Sequence, residues 1–191
     1  LGNSVPERVL TNSELEKMVN TSDEWIVRRT GISERRLLSP DQKASDLGTE
    51  AAKKALKDAG ISAEQIDLII VSTETPDYLT PSTSCIIQKN IGAINAAAFD
   101  VNAACSGFVY GLTIADQFVK TGYYKYILVI GCEGLSRVVD WEDRNTCVLF
   151  GDGAGAAVLG PVDEGYGVIQ TSIGAVGSLG DNITLPCCYI S

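Results

Sequence analysis

The run Asp67–Thr73, DLIIVST, is apolar without alternation. A strand wetted on one side alternates apolar and polar residues, so an unbroken apolar run belongs to a parallel sheet covered on both faces. A similar run stands at Tyr126–Gly131 (YILVIG), and a shorter one at Ala98–Val101. Helical spacing fills the intervals. Ser45 or Asp46 opens an amphipathic helix to Gly60 with Leu47, Ala51, Ala55, Leu56 and Ala59 inward. Pro76 and Pro81 bracket a loop, and a helix follows from Ser82 to about Asn90. Phe108, Leu112, Ala115 and Val119 recur at helical intervals, and Thr121-Gly122 supplies the stop. This β-α-β-α-β rhythm indicates an α/β fold.

The flanks are less regular. Thr11 or Asn12 caps a short helix through about Asn20, with Leu15 and Met18 inward. Ser22 caps a second helix closed by Gly31. Residues 132–145 read as a charged, irregular segment. The glycines of Gly151–Gly155 precede an apolar strand rather than a helix. They therefore read as a tight turn or close-approach site between strands, not as a dinucleotide fingerprint. A last strand is expected from Gly167 to Ile173. Residues 1–160 read as one α/β unit and 161–191 as the start of a connection towards a further half. Leu1–Ser4 reads as a strand cut short, and the Thr184–Ser191 end as a break in the chain.

Chemistry concentrates at two places. Cys105 stands where the Ala98–Val101 strand gives way to a helix, among the small residues Ala103, Ala104, Ser106 and Gly107. This resembles the nucleophile turn of other α/β enzymes, in which a sharp bend lifts the reactive atom above the sheet. A thiol ionises near pH 8.5, and a helix N-terminus favours its anion by roughly 0.3–1 kcal/mol, less than one pKa unit. A second activating group is therefore expected, yet the chain contains no histidine. A cysteine among alanines also suits a small buried hydrophobe. In the Ser22–Thr30 helix, Arg29 follows Trp25 by one turn, so indole and guanidinium share a face. That pairing suits a ligand bearing an aromatic ring and phosphates, or simply a core tryptophan beside solvated arginines.

Composition narrows the classes. The net charge of −9 argues against a nucleic-acid or membrane surface. Six cysteines without CxxC spacing or histidine company argue against zinc, and read as reduced thiols of a cytosol-like compartment. No apolar run is long enough to span a bilayer, and no signal peptide is visible. Asn182-Ile183-Thr184 matches a glycosylation acceptor, which reduced thiols make a chance match.

Three separated motifs coincide: TSDEWI at 21–26 with RTGI at 29–32, DVNAACSGF at 100–108, and FGDGAGA at 150–156. Together they resemble β-ketoacyl-acyl-carrier-protein synthase III, the initiating condensing enzyme of dissociated fatty-acid synthesis. The resemblance implies a thiolase-like layered αβαβα fold of two similar halves, here mainly the N-terminal half, in a cytoplasmic homodimer (a plastid being the alternative compartment). It implies that Cys105 takes an acyl group from acyl-CoA as a thioester. Malonyl-acyl-carrier protein then loses carbon dioxide, and its carbanion attacks that thioester. Acyl-CoA is a substrate, and no cofactor or metal is implied.

By position, Trp25 corresponds to a residue that stacks on the CoA adenine, Arg144 to one on the ring's other side, Arg29 to a phosphate ligand, and Thr21 to a hydrogen-bonding partner near the adenine. The Cys105 N–H corresponds to half of an oxyanion hole. Leu135, Phe150 and Ile183 correspond to acyl-pocket residues, and Thr80 to the residue that closes the pocket across the dimer. A threonine there is smaller than the phenylalanine of some relatives, which implies a pocket longer than acetyl needs. The family's histidine and asparagine belong to the second half, so these 191 residues are not expected to turn over alone. Pro186-Cys187-Cys188 departs from the glycine-rich pattern of relatives. The rival readings are hydroxymethylglutaryl-CoA synthase or a plant-type polyketide synthase on the same scaffold, a non-condensing acyltransferase, and an inert fragment that dimerises through its sheet edge.

Overall fold

The computed structural model describes residues 1–186; Cys187 and Cys188, noted above, lie outside them. In chain order the elements are β1 (Gly2–Ser4), β2 (Arg8–Thr11), α1 (Asn12–Leu15), α2 (Asp23–Thr30), β3 (Glu34–Leu37), α3 (Ala44–Ala59), β4 (Leu68–Ser72), α4 (Thr83–Ile91), β5 (Ala97–Val101), α5 (Gly107–Lys120), β6 (Ile127–Gly134) and β7 (Asp152–Leu159). Five strands form one mixed sheet in the order β1-β7-β6-β4-β5, and β2 pairs with β3 in a separate antiparallel ribbon. β4 runs parallel to both β5 and β6, while β7 runs antiparallel to β6 and β1.

The pleat sorts the core onto two faces. Ile69, Val71, Leu128 and Ile130 pack with Ala51, Ala52, Ala55 and Leu56 of α3 and Ile87 of α4. Leu68, Ile70, Ile127 and Val129 point the other way, against Phe108, Leu112, Ala115 and Val119 of α5. All five β4 residues are buried, as the non-alternating run requires. Each fully buried aliphatic side chain here contributes about 1.5–3 kcal/mol over its exposed state. A third cluster joins the ribbon to α2 and to the segment before β7 through Leu10, Leu15, Ile26, Leu37, Cys147 and Val148.

Several expectations need correction. α1 ends at Leu15, and Met18, in the turns beyond it, is 50 % exposed because the helical face does not continue that far. α3 starts at Ala44 rather than Ser45 or Asp46, with Lys43 as N-cap and Asp46 accepting its N–H. Ala59 is exposed, since the helix tips into solvent before the left-handed Gly60. Residues 132–134 extend β6. Gly153 and Gly155 lie inside β7, opposite Glu133 and Gly131 of β6. Pairing with β6, and at Gly155 with Asn3 of β1 as well, overrides glycine's poor strand propensity there. Close approach holds at Gly151, whose Cβ would stand 3.0 Å from the Arg35 Cβ. No strand forms at 167–173: Ile169 is 88 % exposed, and the run meets no neighbouring strand among the described residues.

Candidate active site

Cys105 lies in a short 3-10 turn, Ala104–Ser106, between β5 and α5, and it is exposed. Two features set this turn. Ala104 has φ +46°, in the left-handed region that a residue with a Cβ occupies only at a cost of about 1–2 kcal/mol. Gly107 lets α5 begin hard against β4, because a Cβ there would stand 1.8 Å from Ser72 Oγ. The helix leaves on one face of the sheet while α4, after β4, packs on the other. Cys105 thus stands at the carboxyl end of the strand pair β4/β5, where the chain departs to opposite sides and open α/β sheets form their crevices.

The neighbouring strand ends emerge at the same edge. Leu135 follows β6, and Phe150 precedes β7, whose Asp152 pairs with Gly134 of β6. Both are half-buried. Thr80 is exposed in the loop between β4 and α4. Ile183 is 90 % exposed in the final described segment. Asp152 ties this edge together: its carboxylate accepts the Leu38 N–H at 2.6 Å, the Ser136 N–H at 2.8 Å and the Ser136 hydroxyl at 2.5 Å.

Two acidic residues that the sequence reading passed over stand beside the cysteine turn. Glu74 accepts the Ala104 N–H at 2.8 Å on one oxygen and the Asn102 amide at 3.0 Å on the other. Glu133, at the end of β6, accepts the Glu74 N–H at 2.8 Å and the Thr75 hydroxyl at 2.6 Å. Burial pushes the Glu133 carboxyl above its ordinary range, against those hydrogen bonds. The signal in the sequence was an acid at the carboxyl end of a parallel strand, Glu74 after the Leu68–Ser72 run. Of the other described cysteines, Cys132 and Cys147 are buried, and burial pushes both thiols up, while Cys85 is exposed like Cys105.

The second centre is Trp25. Ser22 caps α2 by accepting the Trp25 N–H at 3.1 Å, and Gly31 closes the helix at φ 74°. The guanidinium carbons of Arg29 and Arg144 lie 4.6 and 4.4 Å from the Trp25 ring centroid. Arg144 arrives on a loop shaped by Asp143, whose carboxylate accepts the Asn145 N–H and the Thr146 hydroxyl; these bonds hold it below the usual carboxylate range. A cleft of about 460 Å³ beside the ring is lined by Ser22, Glu24, Trp25, Arg28 and Arg29. The Thr21 hydroxyl is buried and has no hydrogen-bond partner among the described residues. Trp25 and Arg29, expected on one helix face, and Arg144, expected at the same ring, therefore converge, with Thr21 next to the cap. Among the described residues no group of three or more His, Cys, Asp or Glu side chains is placed to hold a metal. No helix among them is long and apolar enough to cross a membrane.

A mixed sheet covered by helices on both faces, with a cysteine turn between β5 and α5, is the architecture of thiolase-like condensing enzymes, and solved structures of that class superpose on this chain. The enzyme titled β-ketoacyl-[acyl-carrier-protein] synthase III from Thermus thermophilus matches 98 % of the chain and 58 % of its own length, at 44 % identity and a TM-score of 0.93. The 3-oxoacyl-[acyl-carrier-protein] synthase III from Aquifex aeolicus matches 85 % and 53 %, at 54 % identity and a TM-score of 0.83. The family model for 3-oxoacyl-[acyl-carrier-protein] synthase III matches residues 99–177. Among curated relatives, β-ketoacyl-[acyl-carrier-protein] synthase III of Caldanaerobacter subterraneus subsp. tengcongensis is 60 % identical over 97 % of the chain and 56 % of its own length. That of Geobacillus kaustophilus is 56 % identical over 96 % and 59 %. Over nearly its whole length the chain is thus similar to β-ketoacyl-[acyl-carrier-protein] synthase III proteins, and it spans under three-fifths of the length of these relatives.

Proposed function

We propose that this chain carries the acyl-accepting part of the condensing enzyme that initiates type II fatty-acid synthesis. The observation that carries the reading is the exposed Cys105 at the crevice end of the β4/β5 pair, on a scaffold that also presents Trp25 with two guanidiniums over it. In the proposed first step the Cys105 thiolate attacks the carbonyl carbon of acyl-CoA. The Cys105 N–H donates to the oxyanion as it forms, and the intermediate collapses with loss of CoA thiolate, leaving an acyl thioester on the enzyme. In the second, malonyl-acyl-carrier protein loses carbon dioxide, and the electron pair of the broken C–C bond forms a new bond to the thioester carbon. Cys105 leaves as thiolate, and the product is a 3-oxoacyl-carrier protein. The step assigned to the residues of this chain is acylation.

Trp25 is proposed to stack on the adenine, with Arg144 on the far side, Arg29 on phosphate and the unpartnered Thr21 hydroxyl at the ring edge. Leu135, Phe150, Ile183 and Thr80 are proposed to line the acyl pocket. β5 stands at the sheet edge with Ala97 and Phe99 exposed, which supports a second copy pairing there as a homodimer. Free cysteines support a reducing, cytoplasm-type compartment.

Mixing the chain with acetyl-, isobutyryl- or octanoyl-CoA and mapping the adduct by mass spectrometry tests the reading. A thioester on Cys105, absent from Cys105→Ser, is expected, with the longer acyl groups accepted alongside acetyl. No adduct from any donor sinks the enzymatic reading, and strict acetyl preference sinks the longer pocket.

A further inference from the structure

We propose that Glu74 is a positioning residue that fixes the attack geometry of Cys105; the inference rests on the reading of Cys105 as acyl acceptor. Cys105 directly follows Ala104, so the backbone of Ala104 sets where the Cys105 N–H and Cβ point. Ala104 is the only non-glycine residue with positive φ among the described residues, and alanine does not hold that conformation by itself. Glu74 holds it: one carboxylate oxygen takes the Ala104 N–H and the other takes the Asn102 amide.

The choice of residue is specific. Two donors face the side chain, and only a carboxylate offers an acceptor to each. A glutamine would turn its own NH2 against one of them. The holder is itself anchored from the core, because Glu133 of β6 accepts both the Glu74 N–H and the Thr75 hydroxyl. A continuous set of hydrogen bonds therefore runs from the end of β6 through Glu74 to the residue before the nucleophile. On acylation the Cys105 N–H must meet the thioester oxygen while Sγ meets the carbon, and a turn free to relax towards ordinary φ would separate those two requirements.

Two probes applied to the full chain separate geometry from thiol reactivity. Iodoacetamide needs only an accessible thiolate. A short acyl thioester of N-acetylcysteamine needs the attack geometry as well and bypasses the Trp25 surface. The ratio of thioester to iodoacetamide rate constants at Cys105, read by peptide mass spectrometry with the exposed Cys85 as internal reference, is expected to fall at least tenfold in Glu74→Gln and Glu74→Ala. The double variant Glu74→Gln with Asn102→Asp restores an acceptor for each donor and is expected to bring the ratio back to within threefold of the parent. An unchanged ratio in a folded Glu74→Gln overturns the proposal, as does a folded double variant that stays slow. Should the single variants fail to fold, a folded double variant with the parental ratio supports the pairing, and an unfolded one overturns it. A parent chain that alkylates but is acylated by neither thioester nor acyl-CoA overturns the functional reading with it. Acylation of the parent with no effect of Glu74 overturns this proposal alone.

Discussion

The guanidinium carbon of Arg144 lies 4.4 Å from the centroid of the Trp25 ring. Arg29, one turn along α2, lies 4.6 Å from the same centroid. The protein's own cations therefore stand where a purine would stack, and on the proposed reading Arg144 moves aside to admit it between guanidinium and indole. CoA is expected to change the Trp25 fluorescence, and Trp25→Phe to remove that change while Trp141, bonded to the Ser136 carbonyl, still emits. Arg144→Ala is expected to weaken CoA binding about five- to thirtyfold by calorimetry, as loss of a cation–π contact of about 1–2 kcal/mol implies. Equal or tighter binding would mean that Arg144 only blocks the slot.

The second prediction concerns the seam between α5 and β4. Gly107→Ala forces a Cβ to within 1.8 Å of Ser72 Oγ, so the helix start must retreat. We expect a loss of about 1–3 kcal/mol in urea unfolding. Ser72→Ala should recover part of it, since the Ser72 Cβ is 3.0 Å from the added carbon. Full stability in Gly107→Ala alone would show that the close packing beneath the cysteine turn is dispensable.

The third concerns pH. Burial raises the Glu133 carboxyl above its ordinary value of 4.5. Between 4.5 and that raised value the folded chain keeps a proton which the unfolded chain has released, so stability falls as pH rises through the window. Glu133→Gln cannot lose that proton. The stability of the variant relative to the parent should therefore climb as pH rises from 4.5 to the raised value, and then level off. A difference that stays flat with pH, measured by urea titration, would contradict a raised carboxyl.

Much of this arrangement was legible in the residues. The β4 run announced a doubly covered strand, because burial on both faces removes the need for alternation. The Trp25–Arg29 pairing followed from helical spacing alone, and Arg144 came from the family resemblance by position. Other features depend on distant partners. Gly153 became strand because β6 offered it a ladder, and Gly155 because β6 and β1 offered one on each side, which local propensity does not encode. Gly167–Ile173 had strand composition but no neighbour. Glu74 escaped notice because its role depends on two donors more than twenty-five residues away, Asn102 and Ala104.

Arg35, 5 % exposed, hydrogen-bonds among the described residues only to neutral oxygens, those of Leu10, Asn12 and Val148. Burial lowers its pKa, yet a guanidinium remains protonated. An interior cation with little water to screen it projects its field outward, and Leu10 and Val148, which accept from it, belong to the cluster that also carries Trp25. A chain of net charge −9 would ordinarily repel a polyphosphate from afar. With Arg29 and Arg144 beside Trp25, this one is expected to keep a local positive lobe there, so capture of an anionic visitor should quicken as salt is withdrawn.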